Sequence, residues 1–397
     1  MDEKKTETAN TPRQEGKAPE ILRILLRILT LILTILLVLG GVLLVLNRDQ
    51  LNLDSIKRYL TYRALERSDE GQGVEFPIAN EDGTVFAALG DSMLACSSNR
   101  ILLYSDSGNT YVDLETSISQ PVVTTAGNFA LVYDAGGSQL YLFSGRQMVF
   151  QYATQGDYAL ISAQVNSNGW LAVVEQSSGY KGSVTVYNAG HQPVVTENIS
   201  SSFVMDAAVS PDNRQLAVLT VGQEELSFAA TLTMYNVSDG ESTVSAVVSD
   251  TPALEMRWDD SGIWLQEQSG LRLVSPDCQV VGQWEDESLY LRGYSLQGSG
   301  FAVEYFSRSR AGSVGQVVVV DDQGNVTGTL DVGEEVLSIT AAGRYIALLT
   351  NSRLAIYTSD LTEYAAVENN NGILRALARA DGTAVLVMEE TANVFLP

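Results

Sequence analysis

A single histidine, His191, is all the chain offers as the base of a Ser/His/Asp triad. It sits in YNAGHQPV, Tyr187 to Val194, a polar stretch between two strand-like runs, and reads as a surface turn. Cys96 and Cys278 are the only thiols. Two cysteines and one histidine leave little material for a metal cluster or a thiol nucleophile. Carboxylates are abundant, with visible clusters at Asp259–Asp260, Glu285–Asp286–Glu287, Asp321–Asp322 and Glu334–Glu335. A glycosidase needs two acids that converge on one bond, and no spacing here selects such a pair. Calcium loops need oxygen ligands at fixed alternating positions around a Gly turn. Asp321-Asp322-Gln323-Gly324-Asn325 comes nearest, but it lacks the closing Glu and suits a hairpin turn. No residue is therefore assigned to catalysis, a cofactor or a metal, and the chain is not expected to be an enzyme. A net charge of −24 excludes nucleic acid as a partner, because phosphate binding needs clustered Lys and Arg.

The elements that hold these residues are short strands. From residue 74 onward, alternating runs rich in Val, Tyr, Leu and Thr are broken by Gly, Asp, Asn and Ser. They recur in register. One run carries an alanine: Ala95, Ala130, Ala172, Ala217, Ala302, Ala347 and Ala384, with the Ile263 run filling the missing place. A second run follows, ending at Tyr104, Phe143, Tyr187, Tyr235, Val274, Val320, Tyr357 and Phe395, with a mean spacing close to 42 residues. A period near 42 with four strands per unit predicts a β-propeller. Eight strand pairs predict eight blades. The eighth unit stops one strand short at Pro397, and the extra run Val74 to Ala79 stands ready to complete it and close the ring. Cys96 and Cys278 then fall in the first and fifth blades, on opposite sides. A disulfide needs Cα atoms within about 7 Å, so both are expected unpaired.

Three hairpins between second and third strands are longer than the rest: Gln176–Ser183, Val221–Ala230 and Phe306–Gly315. In a propeller they emerge on one face. The candidate partner-binding residues come from them: Phe306, Arg308 and Arg310 in blade six, and Tyr180 and Lys181 in blade three. Aromatic and Arg residues are what binding hot spots favour. Loops that simply vary on the surface are the alternative for each.

Ahead of the repeats lies a different chain. Ile28 to Leu46 runs 19 residues without a charge, long enough for a transmembrane helix that contacts the lipid bilayer. No small-residue cleavage site follows, so the span reads as an uncleaved anchor. The expected organisation is a disordered cytoplasmic tail over 1–20, the transmembrane helix over 21–47, a juxtamembrane amphipathic helix and linker over 48–73, and the propeller over 74–397. The short helix fits acidic headgroups or a plain spacer equally well. Basic residues flank the span evenly, but residues 1–67 carry net +3 and residues 68–397 net −27. That asymmetry favours an internal N-terminus and an exported domain.

The anchor, the LDSIKRYLTYRALERSDEG segment (Leu53–Gly71) and the repeats together resemble an uncharacterised bacterial family of single-pass membrane proteins with an extracytoplasmic WD40-like or quinoprotein-like propeller. The SPDNRQLAVLT stretch (Ser210–Thr220) looks like a WD40-like blade turn. Trp258–Asp259 and Gly190–His191 do not recur with the repeat, and Gly169–Trp170 is a lone match to a quinoprotein docking motif without adjacent cysteines. No quinone cofactor is expected. The resemblance implies topology and supplies no activity. The function expected is a membrane-anchored scaffold for an envelope protein partner. The alternatives are a cell-wall glycan or small ligand bound in the central channel, and a degenerate enzyme.

Overall fold

The computed structural model describes residues 71–397 apart from 225 and 226, together with Arg27, Thr30, Leu31, Thr34, Tyr62 and Ser68. Two units separate by contacts, Met1–Arg63 and Ala64–Pro397. The span Ile28–Leu46 and the juxtamembrane helix lie outside the described residues, save for single helical positions. Among the described residues no helix is long and apolar enough to cross a membrane.

In the second unit the strand-forming runs build eight four-stranded antiparallel sheets, each a blade. Seven blades run inner to outer in chain order. Their inner strands, blades one to seven, are Val85–Leu89, Pro121–Ala126, Leu160–Val165, Phe203–Val209, Glu255–Asp259, Tyr290–Ser295 and Val336–Ala342. Blade eight takes Arg375–Ala378, Ala384–Val387 and Thr391–Phe395 from the C-terminus and Phe76–Pro77 from the other end. Phe76 opposes Ala392 and Pro77 opposes Thr391. The closing strand is shorter than the run Val74–Ala79, but it occupies the expected outer place.

Burial follows position in the blade. The second and third strands of blade one, Ser92–Cys96 and Arg100–Ser105, are buried on both faces because a blade stands on either side. The outer strand Thr110–Glu115 reaches the rim and alternates toward solvent. All seven recurring alanines are buried in second strands. In blades two, six and eight they lie directly opposite the end of the third strand, as Ala130–Phe143, Ala302–Val320 and Ala384–Phe395. A small residue beside a large one lets twisted sheets interlock without voids. Each core cluster joins two neighbouring blades, as where Leu131 and Tyr133 of blade two meet Ala163 and Val173 of blade three. In blades one to seven the register slips between third and outer strands, once in each blade and twice in blade four. Such bulges twist the outer strand and blunt an otherwise open edge.

Closure is reinforced at the junction of blades eight and one. Arg379 forms a bidentate, buried ion pair with Asp106, at 2.6 and 2.9 Å, and also donates to the Ser92 carbonyl. Gly108, at φ +81°, lies so close to Phe76 that a Cβ there would stand 2.4 Å from the Phe76 Cβ. The turn of blade one can seat the closing strand only with glycine at that position.

The longer hairpin expected at Val221–Ala230 is present, with more of it in strand than a plain loop would have. The second and third strands of blade four extend to Gln215–Glu224 and Ser227–Asn236, with pairing continued through Gly222–Ala229 and Gln223–Phe228. Along those strands the backbone ladder satisfies its own polar groups.

Candidate functional site

Inner strands alternate residues between the blade interior and the central channel. Five of them, in blades two to six, enclose a cavity of about 390 Å³ in that channel. Its wall includes Thr124 of blade two, Ser162 and Gln164 of blade three, Asp206 of blade four, Glu255 and Arg257 of blade five, and Tyr294 of blade six. The spacing of two within each strand turns Ser162 with Gln164, and Glu255 with Arg257, to the same side.

Polar bonds cross the channel. Gln164 donates to Asp206 Oδ2 at 2.5 Å and to the Met256 carbonyl of blade five. Arg257 Nη1 donates to the Thr125 carbonyl of blade two at 3.2 Å. Asp206 Oδ1 accepts from the Ala207 N–H at 2.9 Å. Burial pushes the Asp206 carboxyl up to about 7, against the pull of Ser162, Ala207 and Gln164, with Glu255 adding to the rise. Burial also raises Glu255, opposed by the Tyr294 hydroxyl and by Arg257. Arg257 is lowered by the same desolvation, opposed by Asp259 and Glu255. The channel is thus a poorly solvated place holding two acids and a guanidinium.

The fold brings together acids that spacing alone did not pair. Both are already engaged by protein donors, and among the described residues no group of His, Cys, Asp and Glu is arranged to hold a metal ion. The arrangement presents donors and acceptors to something that enters. The signal in the sequence was a charge inside the first strand of a repeat, as in FVMDAAV and EMRWD.

A second feature surrounds the cavity mouth. Blades three to eight each place one exposed large apolar residue at or just before the start of the inner strand: Tyr158, Phe203, Leu254, Tyr290, Leu337 and Leu374. Tyr180, Phe228 and Val314, from the hairpins between second and third strands, are exposed on the same face. On the opposite face Val194, Val280, Val281 and Val326 are exposed at the starts of outer strands, but no turn and no inner-strand end there exposes a large apolar side chain among the described residues. The residues Tyr158 to Leu374 named above form an apolar crown around one mouth of the channel.

The residues singled out from sequence divide around it. Tyr180 is exposed. Lys181 sets its ammonium 4.2 Å from the centre of the Phe203 ring, tying the blade-three turn to the crown. Arg308 pairs with Asp331, and both are exposed. Arg310 is exposed, and its carbonyl accepts from Arg292 at 2.5 Å. It borders a groove of about 400 Å³ with Arg292, Tyr305 and Glu335. Phe306 does not belong to the patch. It is fully buried, with its ring 5.3 Å from that of Trp284, because it falls on the inward side of a strand running to Ser307. Tyr180 and Lys181 share a turn, while the arginines stand three blades away.

His191 occupies a turn at φ 59° and stacks on Phe150 at 4.9 Å, with no triad around it. Cys96 and Cys278 are free and buried. Asp321 Oδ1 accepts from the Gln323 and Asn325 N–H groups, which makes that segment a self-capped hairpin turn.

A family model described as a family of unknown function (DUF5711) matches residues 57–255. No curated protein matches the sequence. Among solved structures, Sqt1 from Saccharomyces cerevisiae is similar at TM-score 0.57 and 11% identity, covering 81% of this chain and 98% of that one. The computationally designed Ika8 protein is similar at TM-score 0.57 and 9% identity, covering 81% and 99%. The C-terminal WD40 domain of Sif2 follows at 0.53 and 12%, covering 81% and 95%. At these identities the likeness is one of fold, a WD40-like propeller.

Proposed function

The chain belongs to the DUF5711 family of unknown function, and we propose that it is a membrane-anchored, extracytoplasmic scaffold that docks an envelope protein on the crown face of its propeller. It does so without catalysing a reaction. The observation that carries this reading is the asymmetry of the two channel mouths: six consecutive blades expose an apolar residue around one, while among the described residues the other mouth exposes none and the exposed valines of that face stand at its outer rim. Exposed apolar side chains gathered around one opening are the kind of surface that a partner covers.

Charge specifies the partner. Acid pairs Asp286–Glu287, Glu334–Glu335 and Glu389–Glu390 lie in turns of the crown face, while Arg308 is neutralised by Asp331. The face therefore suits an apolar segment flanked by Lys or Arg, rather than the acidic segment that Arg308, Arg310 and Lys181 would suit on their own. The uncharged span Ile28–Leu46 and the net −27 of residues 68–397 support an anchor with the propeller outside.

The test is site-specific photo-crosslinking of the full chain in cells, from Leu254 and Leu337 on the crown and from Asn128 on the opposite face. One defined protein should crosslink from the crown positions alone. Leu254→Ser with Leu337→Ser should abolish its stoichiometric co-purification and move thermal stability little, since exposed changes usually cost under about 0.5 kcal/mol. Crosslinking from Asn128, or equal co-purification by wild type and variant, would refute the crown as the docking face.

A further inference from the structure

We propose that the channel cavity between blades two and six is a binding site for a small polyhydroxylated molecule of monosaccharide size. The volume of about 390 Å³ lies within the range of specific ligand pockets. Exposed Met205 and Leu254 stand on its wall, toward the crown, so a ligand has a way in.

The wall holds polar atoms that the protein leaves unmet. Arg257 Nε and Thr124 Oγ1 are buried without a hydrogen-bond partner. Ser162 is only 6% exposed. Its hydroxyl stands beside the Asp206 carboxylate and lowers that group's proton affinity, yet it makes no hydrogen bond of proper geometry. A buried polar group left unpaired costs about 1–3 kcal/mol; single atoms such as Gln266 Oε1 and Glu304 Oε2 are left so elsewhere, but these three gather at one place. They come from three different blades and border one cavity.

The mixture decides the ligand class. Arg257 Nε can only donate, and the Asp206 and Glu255 carboxylates accept when ionised. The Thr124 and Ser162 hydroxyls do either. A diamine would satisfy the acids and be repelled by Arg257. A simple anion would satisfy Arg257 and be repelled by the acids. A sugar ring carries hydroxyls that donate and accept on every side, and apolar C–H faces that lie against aromatic rings. Tyr294 offers such a ring on the same wall, and Trp258 and Tyr133 border it from the flanking blade cores. The polar groups lie within the channel, and the crown stands at its rim and shares Leu254 with the cavity wall.

The experiment titrates the full chain, held in a sugar-free detergent, with glucose, galactose, N-acetylglucosamine and myo-inositol, and follows tryptophan fluorescence. Alanine and putrescine serve as zwitterionic and dicationic comparators. At least one polyol should give a saturable change that Trp258→Phe removes. Thr124→Val with Ser162→Ala should weaken it by about tenfold without altering the melting temperature. Because removing a cavity hydroxyl is mild, a second variant, Arg257→Gln, checks the donor and should weaken binding by a similar factor. The proposal is overturned if no polyol saturates below about 10 mM. It is also overturned if alanine or putrescine binds in their place, or if the folded double variant binds as wild type does.

Discussion

Glu304 shows how a single buried acid shapes the stability of a blade. It lies in the second strand of blade six with no exposure to solvent, and its Oε1 accepts from Gln266 of blade five at 2.5 Å. Oε2 meets no partner. Burial raises this carboxyl from its ordinary value near 4.5 to about 8, with Gln266 pulling the other way. The unfolded chain ionises Glu304 above about pH 4.5, while the folded chain keeps the proton until about pH 8. Its contribution is fully present below pH 4.5 and declines as pH rises through that window. Glu304→Gln keeps the shape and removes the titration. Its melting temperature should match wild type near pH 4.5 and exceed it by several degrees at pH 8.5. An equal difference at both pH values would show that the acid stays neutral in neither state's favour. Nothing in FAVEY marks this residue, since alternation alone puts Glu304 on one side of a strand whose two sides are both buried. Phe306 was misplaced by the same blindness. Two positions on, it reads as the root of a loop, and only the continued pairing to Ser307 turns it inward.

At the scale of the strand and blade, periodicity carried most of the fold. The alanine and aromatic positions recur because each blade must interlock with the next, so packing leaves a trace in every repeat. The end-to-end closure was legible for the same reason, as the eighth repeat lacked one strand. The extent of the blade-four strands was not, because VGQE and SFAA mix glycine, an acid and serine into what pairing makes strand. The channel groups were not either. Asp206 and Glu255 belong to different repeats, and only the ring brings their strands face to face. Closure itself gives a prediction. Phe76 packs among Met93 and Tyr104 of blade one and Val385 and Val387 of blade eight. Phe76→Ala should cost about 3–5 kcal/mol, as aromatic truncations in cores do. Deleting residues 71–79 should expose the edge at Thr391–Phe395 and produce aggregates in size-exclusion chromatography. A monomeric deletion chain with an unchanged urea midpoint would mean that blade eight closes without this strand.

For the molecule as a whole, the placement of charge and thiols bears on where the propeller works. Both cysteines are buried, and burial raises each thiol, Cys96 to about 12 with Asp134 contributing. Such thiols stay protonated and inert, so an oxidising compartment is tolerable without a disulfide. The same charge pattern makes topology measurable with trypsin. Residues 68–397 contain 13 Lys and Arg, and several are tied down, as in Arg100–Asp113, Arg146–Asp91, Arg272–Glu267 and Arg379–Asp106. Arg310, and Arg308 with its surface partner Asp331, stand in an exposed turn between strands that end at Ser307 and resume at Gly315. Proteases nick exposed loop tips before paired strands. Trypsin added outside intact cells should therefore cut the full chain first at this turn, leaving a membrane-associated N-terminal fragment that ends near residue 310. Arg308→Ala with Arg310→Ala should remove that cut. A chain that survives in intact cells, and is cut at the same turn once the membrane is permeabilised, would place the propeller inside.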